Sequence, residues 1–144
     1  MIFLRVLFDL VSRRGLTPRD LGRAGEKAAA RFYRWRGYRI VARNVRWRDG
    51  EIDLVDRRGR KIVFVEVKTR KQTGSGHPYE AVDREKQLQI VHLAQRFLFT
   101  GKLTDLEVHF DVMSILWDGR RFRIQRFEDA FAPMGSAGRP WKWA

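Results

Sequence analysis

Two short hydrophobic segments carry charges that ordinary folding does not call for. The first is Glu51-Ile52-Asp53-Leu54-Val55 and the second Ile62-Val63-Phe64-Val65-Glu66-Val67-Lys68. Alternation along a strand puts Glu51 and Asp53 on one face, and Phe64, Glu66 and Lys68 on one face. Like charges opposed in a sheet destabilise it, and lone buried carboxylates are expensive. A hard divalent cation would make such crowding tolerable: Mg²⁺ or Mn²⁺ takes carboxylate oxygen and water. A cation so held can activate water and clamp a phosphodiester in transit. Lys68, two positions from Glu66, could orient that water or balance charge developing on phosphate.

These residues need a hairpin to meet. Strands are expected over Tyr38–Arg46, Glu51–Arg57 and Arg60–Thr69, with Trp47-Arg48-Asp49-Gly50 as the first turn. A two-residue turn at Arg58-Gly59 sets Arg57 opposite Arg60, Asp53 opposite Phe64 and Glu51 facing Glu66. Asp53 is then diagonal to Glu66, about 7–8 Å away at the backbone. A helix starts at Thr17-Pro18-Arg19-Asp20, with Thr17 as N-cap, and runs to about Arg36, with Gly37 ending it. Glu26 lies within it beside Gly25, Ala28, Ala29 and Ala30, a small-residue face suited to close packing on the sheet. A second helix covers about Val82–Phe99, with Lys86 near its start. Strands follow at Leu106–Leu116 and Arg120–Phe127, around a Trp117-Asp118-Gly119 turn. Residues 2–12 have helical periodicity, with Phe3, Leu4, Leu7, Phe8 and Val11 on one face. The order predicts an α/β fold: a mixed β-sheet of helix, three-strand meander, helix and two strands. Its parts are an amphipathic extension over 1–19, one domain over 20–131 and an irregular tail over 132–144.

The 144 residues carry 30 Lys plus Arg against 17 Asp plus Glu, a net charge of +13. Residues 1–50 hold 13 cations and 4 acids, so most of the excess lies early. A polyanion is the natural partner, above all nucleic acid. Cysteine is absent, which excludes disulfides, thiol nucleophiles and zinc knuckles. His77, His92 and His109 have no ligand-like spacing and fit structural or surface roles. No run approaches the roughly 20 apolar residues that cross a bilayer, and no cleavable leader is evident, so a cytoplasmic location is expected.

Taken together the residues resemble a known pattern. Asp53 and, thirteen positions on, Glu66-Val67-Lys68 are similar to the PD-(D/E)xK signature of restriction-endonuclease-like nucleases. Glu26 matches the helical glutamate of the Holliday-junction-resolvase-like branch. Gly22-Arg23-Ala24-Gly25-Glu26, Gly37-Tyr38, Arg43-Asn44, Gly50-Glu51-Ile52-Asp53-Leu54, Phe64-Val65-Glu66-Val67-Lys68-Thr69-Arg70 and Ala81-Val82 followed by Lys86 resemble the uncharacterised YraN-like family of small bacterial proteins. The resemblance covers roughly residues 20–131. It implies a restriction-endonuclease-like core and a nuclease dependent on Mg²⁺ or Mn²⁺, with no particular substrate. Ile52 stands where the wider signature often has proline. The extra acid Glu51 leaves open whether it or Asp53 is the primary ligand.

The expected site follows. Asp53, Glu66, Lys68 and Glu26 are candidate catalytic residues, and Asp53, Glu66, Glu26 and Glu51 candidate metal ligands. Arg43, Arg46, Arg48, Arg70, Lys71 and Lys86 are candidate nucleic-acid contacts, with Arg13, Arg14, Arg57 and Arg58 as further phosphate contacts. Trp35, Trp47 and Tyr79 could stack on unpaired bases, or simply pack. Asp111 is expected to face outward or to cap a structural network. The leading function is a metal-dependent endonuclease acting on DNA, branched DNA included. The alternative is a nucleic-acid-binding protein on the same scaffold without catalysis. The leading segment fits an added helix, a homodimer contact or a membrane-surface anchor without stable insertion.

Overall fold

The computed structural model describes residues 2–4, 16–72 and 82–133. The expectations for Arg13, Arg14, Tyr79, Ala81, most of the loop before the second helix and most of the tail fall outside these residues.

Helix α1 spans Pro18–Trp35. The Thr17 hydroxyl accepts the Asp20 N–H at 3.1 Å, satisfying one donor of the first turn. Gly37 follows the end at φ +80°. The last carbonyls are met by arginine: Arg36 donates to Phe32 O at 3.2 Å, and Arg58 to Arg36 O at 3.0 Å. Strands β2 (Arg39–Trp47), β3 (Gly50–Arg58) and β4 (Lys61–Lys71) form the meander. Helix α2 (Arg84–Thr100) is capped by Asp83, whose carboxylate accepts the Lys86 N–H at 2.8 Å. Strands β5 (Glu107–Trp117) and β6 (Phe122–Phe127) complete the order.

One strand precedes all of these. Ile2–Leu4 is β1, antiparallel to β6, with Phe3 opposite Arg123. This corrects the helix expected over 2–12; residues 5–15 lie outside the described set. A three-residue apolar run fits either period, and β6 offers an open edge of backbone donors and acceptors.

The sheet runs β1-β6-β5-β4-β3-β2. Its pairs are antiparallel except β4 with β5, joined in parallel through α2. This is the mixed α/β layer expected. One face is covered by α1, whose Leu21, Ala28, Ala29, Phe32 and Tyr33 pack with Leu54, Val63, Val65, Met113 and Ile115. The other is covered by α2, whose Ile90, Leu93, Ala94 and Leu98 pack with Val55, Ile62, Phe64, Phe110 and Val112. No helix among the described residues is long and apolar enough to cross a membrane.

The β3–β4 turn falls at Gly59-Arg60, one residue later than expected, because Arg58 pairs with Lys61. Each partner therefore moves by two positions, and Phe64 lies opposite Val55 rather than Asp53. The shift is even, so each side chain keeps its face. Glu51 does not oppose Glu66; it pairs across β2 with Arg46.

Candidate active site

The β3–β4 ladder stops at Leu54–Val65. One residue beyond, the Asp53 carboxylate accepts the Val67 N–H at 2.8 Å, where a backbone carbonyl would continue the sheet. The core divides at the same point: Leu54 packs on the α1 side and Ile52 on the α2 side. A strand normally keeps such residues on one face. Asp53 thus sits where β3 leaves β4, with 8% of its surface exposed.

Burial, then the Glu66 carboxylate, push the Asp53 carboxyl up to about 7, with Glu26 and Glu51 adding to the rise and the Val67 N–H opposing it. Burial also raises Glu66, opposed by the ammonium groups of Lys86 and Lys68 and by a hydrogen bond with Asp53. Lys86 Nζ reaches to 3.8 Å from Glu66 Oε1, so α2 turns its one lysine, half-buried, toward the acids. Asp53, Glu66, Glu26 and Glu51 therefore act on one another from β3, β4 and α1.

Gly25 explains how α1 delivers Glu26. A Cβ at Gly25 would stand 1.8 Å from Thr69 Oγ1 and 2.8 Å from Thr69 Cβ. The helix backbone rests directly on β4, and Glu26 is the next residue. At the other wall the β2–β3 turn is fastened to α2. Arg96 holds the Asp49 carboxylate at 2.9 and 3.2 Å, and Gln89 donates to Asp49 O at 2.7 Å. Gly50, at φ +152°, has Gln89 Nε2 2.7 Å from where a Cβ would lie. This clamp was not anticipated; Asp49 reads in sequence as an ordinary turn residue, and its partners are about forty positions away.

The basic candidates divide. Arg46 is bound to Glu51 at 3.1 Å. Arg48, Arg70 and Lys71 are exposed at the strand ends nearest the acids, and Arg43 is exposed on β2. Trp47 is half-buried against the α2-side core, under Arg96, while Trp35 is 74% exposed at the far end of α1.

Asp111 does not face outward; it is wholly buried and caps a network. Tyr33 Oη donates to it at 2.6 Å, Arg126 Nε at 2.8 Å and the Asp129 N–H at 3.0 Å. Alternation suggests exposure only when the far face is open, and here α1 covers it. His109 is likewise structural, held between Glu107 at 2.6 Å and Asp129. Sequence reading missed Asp56, fully buried on β3 with neither carboxylate oxygen hydrogen-bonded. Burial pushes it up to about 7, against the pull of Arg43.

Hard oxygen donors that repel one another fit Mg²⁺ or Mn²⁺. Among the described residues no three acidic or histidine side chains form a ready cage. Mg²⁺ commonly uses one or two carboxylates and keeps its remaining waters, so the Asp53–Glu66 pair suffices as a donor set.

Comparison with known proteins bears on the family. Residues 25–115 match the model of the uncharacterised protein family UPF0102. A UPF0102 protein of Prosthecochloris aestuarii is 42% identical over 122 residues, covering 81% of this chain and 96% of its own. One from Chlorobium limicola is 42% identical over 79% of this chain and 93% of its own. One from Symbiobacterium thermophilum is 45% identical over 78% and 97%. On these matches the chain belongs to the UPF0102 (YraN) family.

Proposed function

We propose that this chain is an endonuclease that hydrolyses phosphodiester bonds of DNA, branched DNA included, with Mg²⁺ or Mn²⁺. The observation that supports it most is the Asp53–Glu66 pair, a buried and a half-buried carboxylate at the end of a sheet ladder, both raised by burial, with the Glu66 charge raising Asp53 further. Asp53 and Glu66 would hold the cation, with Glu51 and Glu26 lending negative charge from β3 and α1. When bound, it would polarise a phosphoryl oxygen and acidify a water. Lys68 balances charge on the phosphate, and Lys86 adds a second cation at the rim. Arg43, Arg46, Arg48, Arg70 and Lys71 engage the backbone of the nucleic acid, where each phosphate contact adds salt-dependent affinity.

Cleavage of supercoiled plasmid and of a four-way junction with Mg²⁺ or Mn²⁺ tests this. Cleavage should vanish in Asp53→Ala, Glu66→Ala and Lys68→Ala. Cleavage that survives all three removes the mechanism.

One observation favours a second reading, a binding protein without catalysis. Lys86 and Arg46 already neutralise Glu66 and Glu51. Calorimetry showing DNA affinity intact and no divalent-ion binding would select it.

A further inference from the structure

A second cationic pole lies at the other end of the molecule. Arg31, Arg34 and Trp35 stand at i, i+3 and i+4 on α1, share one face and are exposed. Arg39 opens β2 directly opposite Arg57, on the sheet face of α2, and Arg58 is directly opposite Lys61, on the face of α1. Like charges directly opposed in a sheet are destabilising, and two such pairs fall at this end of the sheet, one on each face. Part of the charge is met locally: Lys61 reaches Glu128 at 3.1 Å, and Arg57 and Arg58 donate to the carbonyls of Gly59 and Arg36. Carbonyls satisfy donors but do not neutralise charge. The surplus calls for a polyanion.

The exposed indole narrows the class. A base offers a flat π-face to stack on Trp35; a lipid surface calls for a continuous apolar face. The other large exposed apolar side chains among the described residues, Leu88 and Phe99, belong to α2. Distance links the pole to the acids. Glu26 and Trp35 are nine positions apart on α1, about 13 Å. Asp53 and Arg58 are five apart on β3, about 17 Å. We infer that this pole binds an unpaired segment of nucleic acid, with Trp35 stacked on a base and Arg31 and Arg34 on the flanking phosphates. The inference rests on the nucleic-acid reading above and gives it a substrate class: a strand with unpaired nucleotides next to the acidic cluster.

The test is anisotropy in EDTA with labelled oligonucleotides of about 20 nucleotides: a single strand, a blunt duplex and a duplex with an unpaired tail. Trp35→Ala should weaken binding of the single strand and tailed duplex about tenfold and leave the blunt duplex within about twofold. Removing Arg31 and Arg34 together should lower the salt slope on single strands by about 1.4. An unchanged affinity for unpaired substrates in Trp35→Ala, or an equal loss on all three, overturns the inference. So does loss of binding to phosphatidylserine vesicles with oligonucleotide affinity intact. The measurement involves no cleavage, so the two readings fail separately. Junction cleavage by a Trp35→Ala variant that also binds unpaired strands normally keeps the nuclease and discards the pole. Trp35-dependent binding in a protein that cleaves nothing does the reverse.

Discussion

Two acids of one sheet, Asp53 on β3 and Asp111 on β5 with β4 between them, are buried in opposite ways. Asp111 lies wholly inside, and each of its oxygens is met by a donor: Tyr33, Arg126 or the Asp129 N–H. Asp53 is almost as buried, accepts a single backbone donor from Val67, and faces further acids. The interior therefore can neutralise a carboxylate where stability demands it. At Asp53 it does the reverse, gathering like charges that cost stability. That difference, more than burial alone, sets Asp53, the proposed metal ligand, apart from the structural acid Asp111.

Breaking the Asp111 network should have the largest effect. Asp111→Ala strands the buried Tyr33 hydroxyl and the Asp129 N–H and leaves half-buried Arg126 with Glu128 alone, which should cost about 3–5 kcal/mol in denaturant unfolding. Gly25→Ala comes next. Thr69 is β-branched and packed, so the new methyl must force α1 from β4, at a cost of about 1–3 kcal/mol. Asp53→Asn removes repulsion rather than support. It should keep stability within about 1 kcal/mol of the parent, or raise it, while abolishing metal-linked cleavage. A fall as large as that of Asp111→Ala would erase the distinction between the two acids.

Stability should also slope with pH. Asp53 and Asp56 rise in the folded state to about 7 from an ordinary value near 4. Between these values the native state holds protons that the unfolded state has released, so stability falls as pH rises. Without divalent ions, unfolding free energy should be highest near pH 4 and decline toward 7 from these groups. Asp53→Asn and Asp56→Asn should each flatten the decline, which pH-resolved denaturant melts would read.

Much of this was legible in the sequence because it rests on local rules. Thr17-Pro18 announces a helix start, and the run Ile62–Val67 alternates between the two cores as a strand period requires. The turn was misplaced by one residue because Arg58-Gly59 and Gly59-Arg60 are equally good turn chemistry; strand pairing chose between them. Ile2–Leu4 was misread because a short apolar run takes its form from whatever edge it meets. Asp56, the burial of Asp111 and the Asp49–Arg96 clamp depend on which helix covers which face, a matter of tertiary packing that no local pattern carries. The Asp53–Glu66 pair could be suspected from motif spacing, but its electrostatic origin needed the end of the ladder and the approach of α1 at Gly25.

The most direct trial of the central claim is a crystal soaked in Mn²⁺, read for anomalous density at the Asp53 and Glu66 carboxylates. One Mn²⁺ bridging the two, lost in Asp53→Asn and in Glu66→Gln, is the predicted result. A soaked crystal in which these carboxylates stand apart with no ion between them would contradict it.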